Sequence, residues 1–261
     1  DKSLKLSPQD PRMSKWDSRK NKDWDQSLME VYAAMVDSMD QNIGRILKTL
    51  DDTGTSENTL VLFISDNGGC AEMPGGDNNT SHIPGPKEFY TACGPSWAIA
   101  QNTPFKRYKA NMHEGGICTP CVIRWPAKIK ANTWTKAIAH IIDLQPTCMA
   151  IAGLDPVNAI PSGKRQLDGE NILALLEGKE FKRKKPLFFQ YGKTRALRDG
   201  EWKAVYEDKW MLFNISEDRT ELNDLAAKYP ERMTAMIKSW EAWAKNTGVP
   251  TKTKKSKKKK K

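Results

Sequence analysis

The chemistry-bearing residues of this sequence gather in two short stretches. Asp66 and Asn67 stand side by side and are followed by Gly68-Gly69. A carboxylate and an amide oxygen therefore sit next to backbone that can turn sharply, and oxygen donors of this kind suit a hard divalent cation such as calcium or magnesium. Downstream, Lys109 precedes His113-Glu114-Gly115-Gly116. That arrangement sets a compact cation and a possible proton carrier beside backbone that another segment can approach closely. Read alone, Asp-Asn-Gly-Gly is also a common turn sequence, because Asp and Asn bond their own backbone and Gly tolerates positive φ. His113 reads equally well as a hydrogen-bonded loop histidine. The elements around these stretches have to decide.

Residues 27–50 carry Leu28, Val31, Tyr32, Met35, Met39, Ile43, Ile46, Leu47 and Leu50, spaced by threes and fours as one face of a helix requires. Ser27 with Glu30 has the pattern of a capping box, and Gly54 stands where a left-handed C-cap belongs. Thr59 to Ser65 is a short apolar run rich in β-branched and bulky residues, as expected of a strand buried on both faces of a parallel sheet. Asp66 follows that strand directly. In open α/β sheets ligands bind at this strand edge. The stretch from Gly68 to Thr103 shows little periodicity and much Gly, Pro, Asn and Ser, which predicts a long functional loop. A second buried strand is expected over Val122–Trp125, stopped by Pro126. Asp143 is expected to cap a helix with Pro146 in its first turn and Gly153 at its end.

Beyond about residue 185 the pattern changes. Leu187–Tyr191, Arg195–Leu197, Trp202–Tyr206 and Trp210–Asn214 read as consecutive strands, with Asp199-Gly200 as a hairpin signal. Strands in succession without helices between them predict an antiparallel sheet. Pro230 then opens a helix in which Met233, Ile237, Trp240 and Ala244 share a face. The expected fold class is α/β: part of a large mixed, mainly parallel sheet domain flanked by helices over 1–185, then a small α+β subdomain with an antiparallel sheet over 186–249. Residues 250–261 form a disordered lysine-rich tail on this reading. No internal repeat is present.

The 261 residues and 38% hydrophobic content suffice for a core. The net charge of +10 resembles a nucleic-acid binder's until the tail is considered, where eight of the ten residues from Lys252 to Lys261 are Lys. Without them the charge is about +2, so no specific nucleic-acid role is expected of the folded part. The tail is read as a solubilising appendage, with polyanion binding as the sharper alternative. No apolar run reaches the roughly 18 residues of a membrane span. Asp1 to Gln9 is not an apolar secretion signal, and the chain does not begin with Met, so a processed product or a fragment is expected and location must come from elsewhere. The five Cys do not make a disulfide scaffold. Cys118 and Cys121 read as small core-facing residues, and Cys70 with Cys93 could close the loop between them as a disulfide. His82 borders that loop, whereas His140 lies among apolar neighbours and reads as a satisfied core histidine. Nothing here speaks to oligomeric state.

Three stretches together resemble the sulfatases of the alkaline-phosphatase superfamily, in their bacterial arylsulfatase form. They are the helix from Tyr32 to Arg45, the strand end Phe63-Ile64-Ser65-Asp66-Asn67-Gly68-Gly69, and Thr103-Pro104-Phe105 through Lys109 to His113-Glu114-Gly115-Gly116-Ile117-Cys118-Thr119-Pro120. The similarity continues through Asp143-Leu144-Gln145-Pro146-Thr147, Leu167-Asp168-Gly169 and Trp210-Met211-Leu212-Phe213-Asn214, and into Glu221-Leu222-Asn223-Asp224-Leu225-Ala226. It covers nearly all of the chain apart from its first residues and its tail.

The resemblance implies an alkaline-phosphatase-like fold and hydrolysis of a sulfate ester, an aryl sulfate or a sulfated glycan. Asp66 and Asn67 match two ligands of the active-site calcium, Lys109 matches the lysine that contacts the substrate sulfate, and His113 falls in the substrate neighbourhood. It also implies a periplasmic or extracellular location. The family's nucleophile is a formylglycine made from Cys or Ser within C/S-x-P-x-R, and no such stretch occurs here; Cys118-Thr119-Pro120 is followed by Cys121. The paired N-terminal aspartates of the calcium shell are missing too, so the expectation is the C-terminal portion of a sulfatase, inactive by itself. Two rivals remain open: a truncated or pseudoenzyme fragment whose tail binds polyanions, and a related metal-dependent phosphodiesterase. The last normally uses more His and Asp ligands than a chain with three His offers.

Overall fold

The apolar spacing of the first helix does produce one, but its ends lie elsewhere. In the computed structural model, which describes residues 5–7, 13, 15–72, 80–89 and 91–249, α1 runs over Lys22–Asp52. Ser27 is therefore inside the helix, and the expected Ser27–Glu30 box does not start it. Asn21 stands at the N-cap without a side-chain bond, and Asp23 and Asp25 fill the first turn, where negative charge suits the helix dipole. Asp25 is buried and holds Arg19 through a bond of 2.6 Å from Nε. Gly54 closes the other end at φ +68°. The lysine tail and residues 73–79 of the expected loop lie outside the described residues.

Strand β1, Val61–Ile64, pairs antiparallel with β2, Cys121–Arg124, with Val61 opposite Arg124 and Ile64 opposite Cys121. This differs from the expected strand buried beside parallel neighbours. Phe63 and Val122 face each other across the ribbon while 38% and 62% exposed, and among the described residues no third strand joins them. Between the two strands the expected loop contains a helix, α2, Gly94–Asn102. Its apolar residues Trp97 to Ala100 are consecutive and carry no 3.6-residue rhythm, so periodicity does not reveal it. Pro95 sits in its first turn, where a missing N–H costs nothing.

After the short α3, Glu114–Ile117, and β2 come α4, Leu144–Ile151, and α5, Leu173–Leu176. Asp143 stands at the N-cap of α4 as expected, but its side chain makes no capping bond there. Its carboxylate turns back instead to the backbone N–H of His140 at 2.7 Å and of Glu170 at 2.8 Å, with Arg183 against it. His140 is satisfied as anticipated, its Nδ1 accepting from the Ile142 N–H at 3.2 Å. Cys70 and Cys93 are free thiols, each with its own neighbour, so no disulfide closes the loop. Cys121 is exposed at the start of β2, not core-facing.

The C-terminal sheet follows the sequence closely. Strands β3 (Leu187–Tyr191), β4 (Thr194–Asp199), β5 (Trp202–Tyr206) and β6 (Trp210–Asn214) pair antiparallel in order. Strand alternation puts Leu197, Ala204 and Leu212 against Met233, Met236, Trp240 and Ala244 of α6, Pro230–Thr247. Ala196, Val205 and Phe213 point the other way and pack with Met112 and Ile215. Helix α6 thus covers one face, and the segment around Met112 covers the second. No described helix is long and apolar enough to cross a membrane.

Candidate functional site

Immediately past β1 the chain bends at Asp66-Asn67-Gly68. Ser65 Oγ donates to the Asn67 carbonyl at 2.8 Å, and Asn67 Nδ2 donates to the Gly68 carbonyl at 2.9 Å. The amide nitrogen of Asn67 is thereby engaged, its Oδ1 remains an acceptor, and the neighbouring Asp66 is exposed. Two oxygen donors of this type fit a hard cation but supply only two of the roughly six to eight that calcium takes. Among the described residues no group of three or more His, Cys, Asp and Glu gathers to complete a shell.

Backbone bonds stitch this bend to the lysine loop. Gly68 N donates to Gly116 O at 3.1 Å, and Lys109 N donates to Gly69 O at 3.0 Å. Asn102, at the end of α2, bridges the two by accepting from Gly69 N at 2.8 Å and donating to Arg107 O at 3.0 Å. The approach is possible only for glycine. A Cβ on Gly68 would lie 1.7 Å from Gly115 O, and one on Gly115 would lie 2.3 Å from Arg107 O. Gly68→Ala should therefore cost about 1–3 kcal/mol by forced displacement. Gly44→Ala in α1, whose added Cβ meets nothing within 4 Å, should stabilise by about 0.5–1 kcal/mol. Urea unfolding of the two variants checks this, and equal midpoints would refute it.

Lys109 presents its ammonium at the surface end of this stitch. Nζ lies 2.8 Å from Glu72 Oε2 and 3.9 Å from Cys70 Sγ. The hydrogen bond to Glu72, reinforced by Cys70, raises the lysine's pKa, and the same bond lowers that of Glu72. The bend that carries Asp66 and Asn67 is thus bonded through its glycines to the backbone of the loop that carries Lys109.

His113 does not belong with them. Its side chain is 0% exposed, with Nδ1 3.1 Å from Glu221 Oε2, Nε2 3.9 Å from Glu207 Oε2 and the ring edge-on to Phe213. Burial lowers its pKa, against the opposing pull of Glu221. In this structure His113 is thus held among Glu221, Glu207 and Phe213 and away from the surface where Lys109 presents its ammonium. His82 reaches Trp24 through its carbonyl and stacks edge-on with Phe89 at 4.6 Å.

Sequence reasoning missed the charges that hold the lysine loop in place. Lys203 on β5 is fully buried, with Nζ 2.7 Å from Glu114 Oε1 and 3.0 Å from Glu221 Oε1. Glu221 also accepts the Glu114 backbone N–H at 2.8 Å. At the near end of the loop, Arg107 and Asn111 clasp Glu207 at 2.9 and 3.1 Å. Glu114 and Glu221 both lie in the stretches that carry the family resemblance, which was the available signal. Lys203 gave none.

Burial alone would raise the Glu221 carboxyl, but the groups around it, led by the Lys203 ammonium, outweigh that and hold it at about 2. A carboxyl depressed in the folded state stabilises the protein above its unfolded pKa near 4.5, and that stability is lost as pH falls toward 2. Acidification from pH 5 to 2 should remove up to about 3 kcal/mol through this group. Urea midpoints across that range measure the slope, which Glu221→Gln should flatten; an unchanged slope in the variant would count against the assignment. The cleft of ≈ 700 Å³ beside the start of α6 holds none of Asp66, Asn67 or Lys109. The chemistry-bearing groups lie on surface loops outside it.

The family model described as Sulfatase matches residues 6–154, and that described as N-sulphoglucosamine sulphohydrolase, C-terminal, matches residues 106–246. An uncharacterized sulfatase of Schizosaccharomyces pombe is 31% identical over 90% of this chain and 47% of its own length. The arylsulfatase of Klebsiella aerogenes is 34% identical over 49% of this chain and 30% of its own. The solved structure of Ps i-CgsB in complex with k-i-k-neocarrahexaose superposes with a TM-score of 0.68 at 24% identity, covering 96% of this chain and 51% of that one. The chain spans less than half the length of these two curated relatives.

Proposed function

Since the chain belongs to the sulfatase family, we propose that it forms one side of the active site of a sulfuric ester hydrolase of arylsulfatase type, acting on an aryl sulfate or a sulfated glycan. In this reading Lys109 binds the sulfate, displacing Glu72, and Asp66 and Asn67 supply two oxygen ligands of calcium. Calcium, when bound, would neutralise charge on the sulfate oxygens, and a formylglycine outside this chain would supply the nucleophile. The compact ammonium of Lys109 can follow a sulfate oxygen while the ester bond breaks. The glycine stitch keeps that ammonium and the two oxygen donors on one rigid support, and buried charges anchor the support from behind.

The single observation that carries this reading is the 3.0 Å bond from Lys109 N to Gly69 O, which couples the anion-binding lysine to the oxygen-donor bend. The domain division we propose keeps 1–185 in the α/β layer and 186–249 in the antiparallel subdomain that backs the lysine loop. A periplasmic or extracellular location belongs to the same proposal, and cell fractionation tests it.

The activity test joins this chain to a sulfatase segment carrying C/S-x-P-x-R and follows sulfate release from 4-nitrophenyl sulfate. Lys109→Ala should lower kcat/KM by about 10²–10³-fold, the typical effect of removing one charge-stabilising donor; an unchanged value would remove the sulfate-binding assignment. The chain by itself should show no turnover. Release above a Lys109→Ala control would overturn that expectation.

A further inference from the structure

The lysine loop lies across one end of the C-terminal sheet, and the strand register fixes which end. Arg107 and Asn111, on either side of Lys109, both hold Glu207, at 2.9 and 3.1 Å. Glu207 directly follows β5, whose last residue, Tyr206, pairs with Arg195 of β4. One step further along β4, Thr194 pairs with Tyr191, the last residue of β3. The tip of the β3–β4 hairpin and the stretch that carries Lys109 are therefore at the same end of the sheet.

They also share a face. Side chains alternate along β3, so Tyr191 points to the same side as Phe189, and Phe189 packs on the cluster that contains Met112 of the lysine loop and Ala196 of β4. Tyr191, two residues nearer the tip, is 55% exposed. Its ring thus continues the loop-facing side of the sheet past the point where the loop covers it. Its electrostatic influence reaches the ammonium as well: after the Glu72 bond and Cys70, Tyr191 is among the groups that raise the pKa of Lys109. The turn beneath it is tied, with Thr194 Oγ1 donating to the Tyr191 carbonyl at 2.9 Å and Gln190 Nε2 to the Gly192 carbonyl at 2.6 Å. A ring so placed contributes little to the core, yet it is held ready for a ligand at little cost in ordering.

We propose that Tyr191 is a substrate-contacting, specificity-determining residue: its ring receives the sugar ring of a sulfated saccharide whose sulfate lies on Lys109. A tyrosine offers a flat apolar face and a hydroxyl at its rim, and a sugar offers a face of C–H groups and hydroxyls around it, so the two match in both respects. The inference rests on the sulfate-binding reading of Lys109 and narrows the substrate class to a saccharide. The lysine holds the ester group, and the tyrosine, on the antiparallel sheet, selects what the ester is attached to.

To test this, the full chain is titrated with galactose 6-sulfate, N-acetylgalactosamine 6-sulfate, N-acetylglucosamine 6-sulfate and inorganic sulfate, and Kd is read from protein NMR shifts. Tyr191→Ala should raise Kd for at least one saccharide by about tenfold, the order expected of one aromatic stack, and should weaken inorganic sulfate far less because that ion has no ring to stack. Tyr191→Phe, which keeps the ring, should recover most of the affinity, and Tm should be the same in all three proteins because the side chain stands half in solvent. Equal affinity of the parent chain and Tyr191→Ala for every saccharide overturns the proposal, and so does a loss for inorganic sulfate as large as that for the sugars. Lys109→Ala separates the two readings. Loss of saccharide binding in Tyr191→Ala but not in Lys109→Ala keeps the sugar contact and sinks the sulfate-binding lysine, whereas the reverse keeps the lysine and sinks the tyrosine.

Discussion

Replacing Lys203 with Met should lower the unfolding free energy by about 3–5 kcal/mol, the cost of breaking a buried ion cluster from one side. The ammonium is fully buried and sits between Glu114 and Glu221 at 2.7 and 3.0 Å. Burial would lower its pKa, yet the two carboxylates raise it above the ordinary value, so it is charged in the folded state. Removing it strands two carboxylates. Arg219 and Arg198 approach Glu114 at 3.5 and 3.8 Å and offset part of the loss there. The triple variant Lys203→Met, Glu114→Gln, Glu221→Gln should recover part of the stability because it strands neither buried carboxylate, the recovery being limited by the loss of Glu114 beside Arg198 and Arg219. Urea unfolding of the single and triple variants decides the matter: a loss below about 1 kcal/mol in the single variant would show that the cluster does not act as a buried unit.

On the proposed calcium assignment, Asp66→Ala should abolish calcium-dependent sulfate release by this chain joined to a sulfatase segment carrying C/S-x-P-x-R, while leaving the fold intact. Asp66 is exposed in this chain and none of the bonds stitching Gly68 and Gly69 to the lysine loop uses its side chain, so circular dichroism and Tm should not change. What it carries is the one full negative charge at the oxygen-donor bend, and hard cations depend on ligand charge for affinity. Asp66→Asn keeps an oxygen donor without that charge and should need more calcium to reach the same rate. Calorimetric titration with calcium, run alongside the rate measurement, separates lost metal from lost chemistry. Full activity and unchanged calcium affinity in Asp66→Ala would remove the metal assignment.

Much of the fold was legible because its signals are local. The four C-terminal strands follow from alternation broken by short turns, among them Asp199-Gly200, and α6 follows from Met233, Trp240 and Ala244 at helical spacing. Helix α1 was visible for the same reason, although its start was placed too late: Ser27 and Glu30 have the pattern of a cap but stand inside a helix that begins at Lys22. The α2 helix escaped because its apolar residues are consecutive and its surroundings rich in Gly and Pro. An antiparallel partner for β1 was not foreseen either, since a short apolar run looks the same whichever way its neighbour runs.

The site divides along a similar line. By itself the sequence determined that an oxygen-donor pair follows a strand and that a lysine precedes a glycine pair, because residue type and order suffice for both. Only the tertiary structure decided that these stretches meet, for the contact is a backbone approach between segments far apart in the chain, permitted by the missing Cβ atoms of Gly68 and Gly115. It also decided the fate of two charged-looking positions. His113 lies beside the lysine in sequence yet is sealed against Phe213 and Glu221, and Lys203, which alternation would place in solvent, is buried beneath the lysine loop. Its partner Glu114 is 89 residues away in the chain, and Glu221 joins it at 3.0 Å. A one-dimensional pattern records which side of an element is apolar; it does not record what covers the other side.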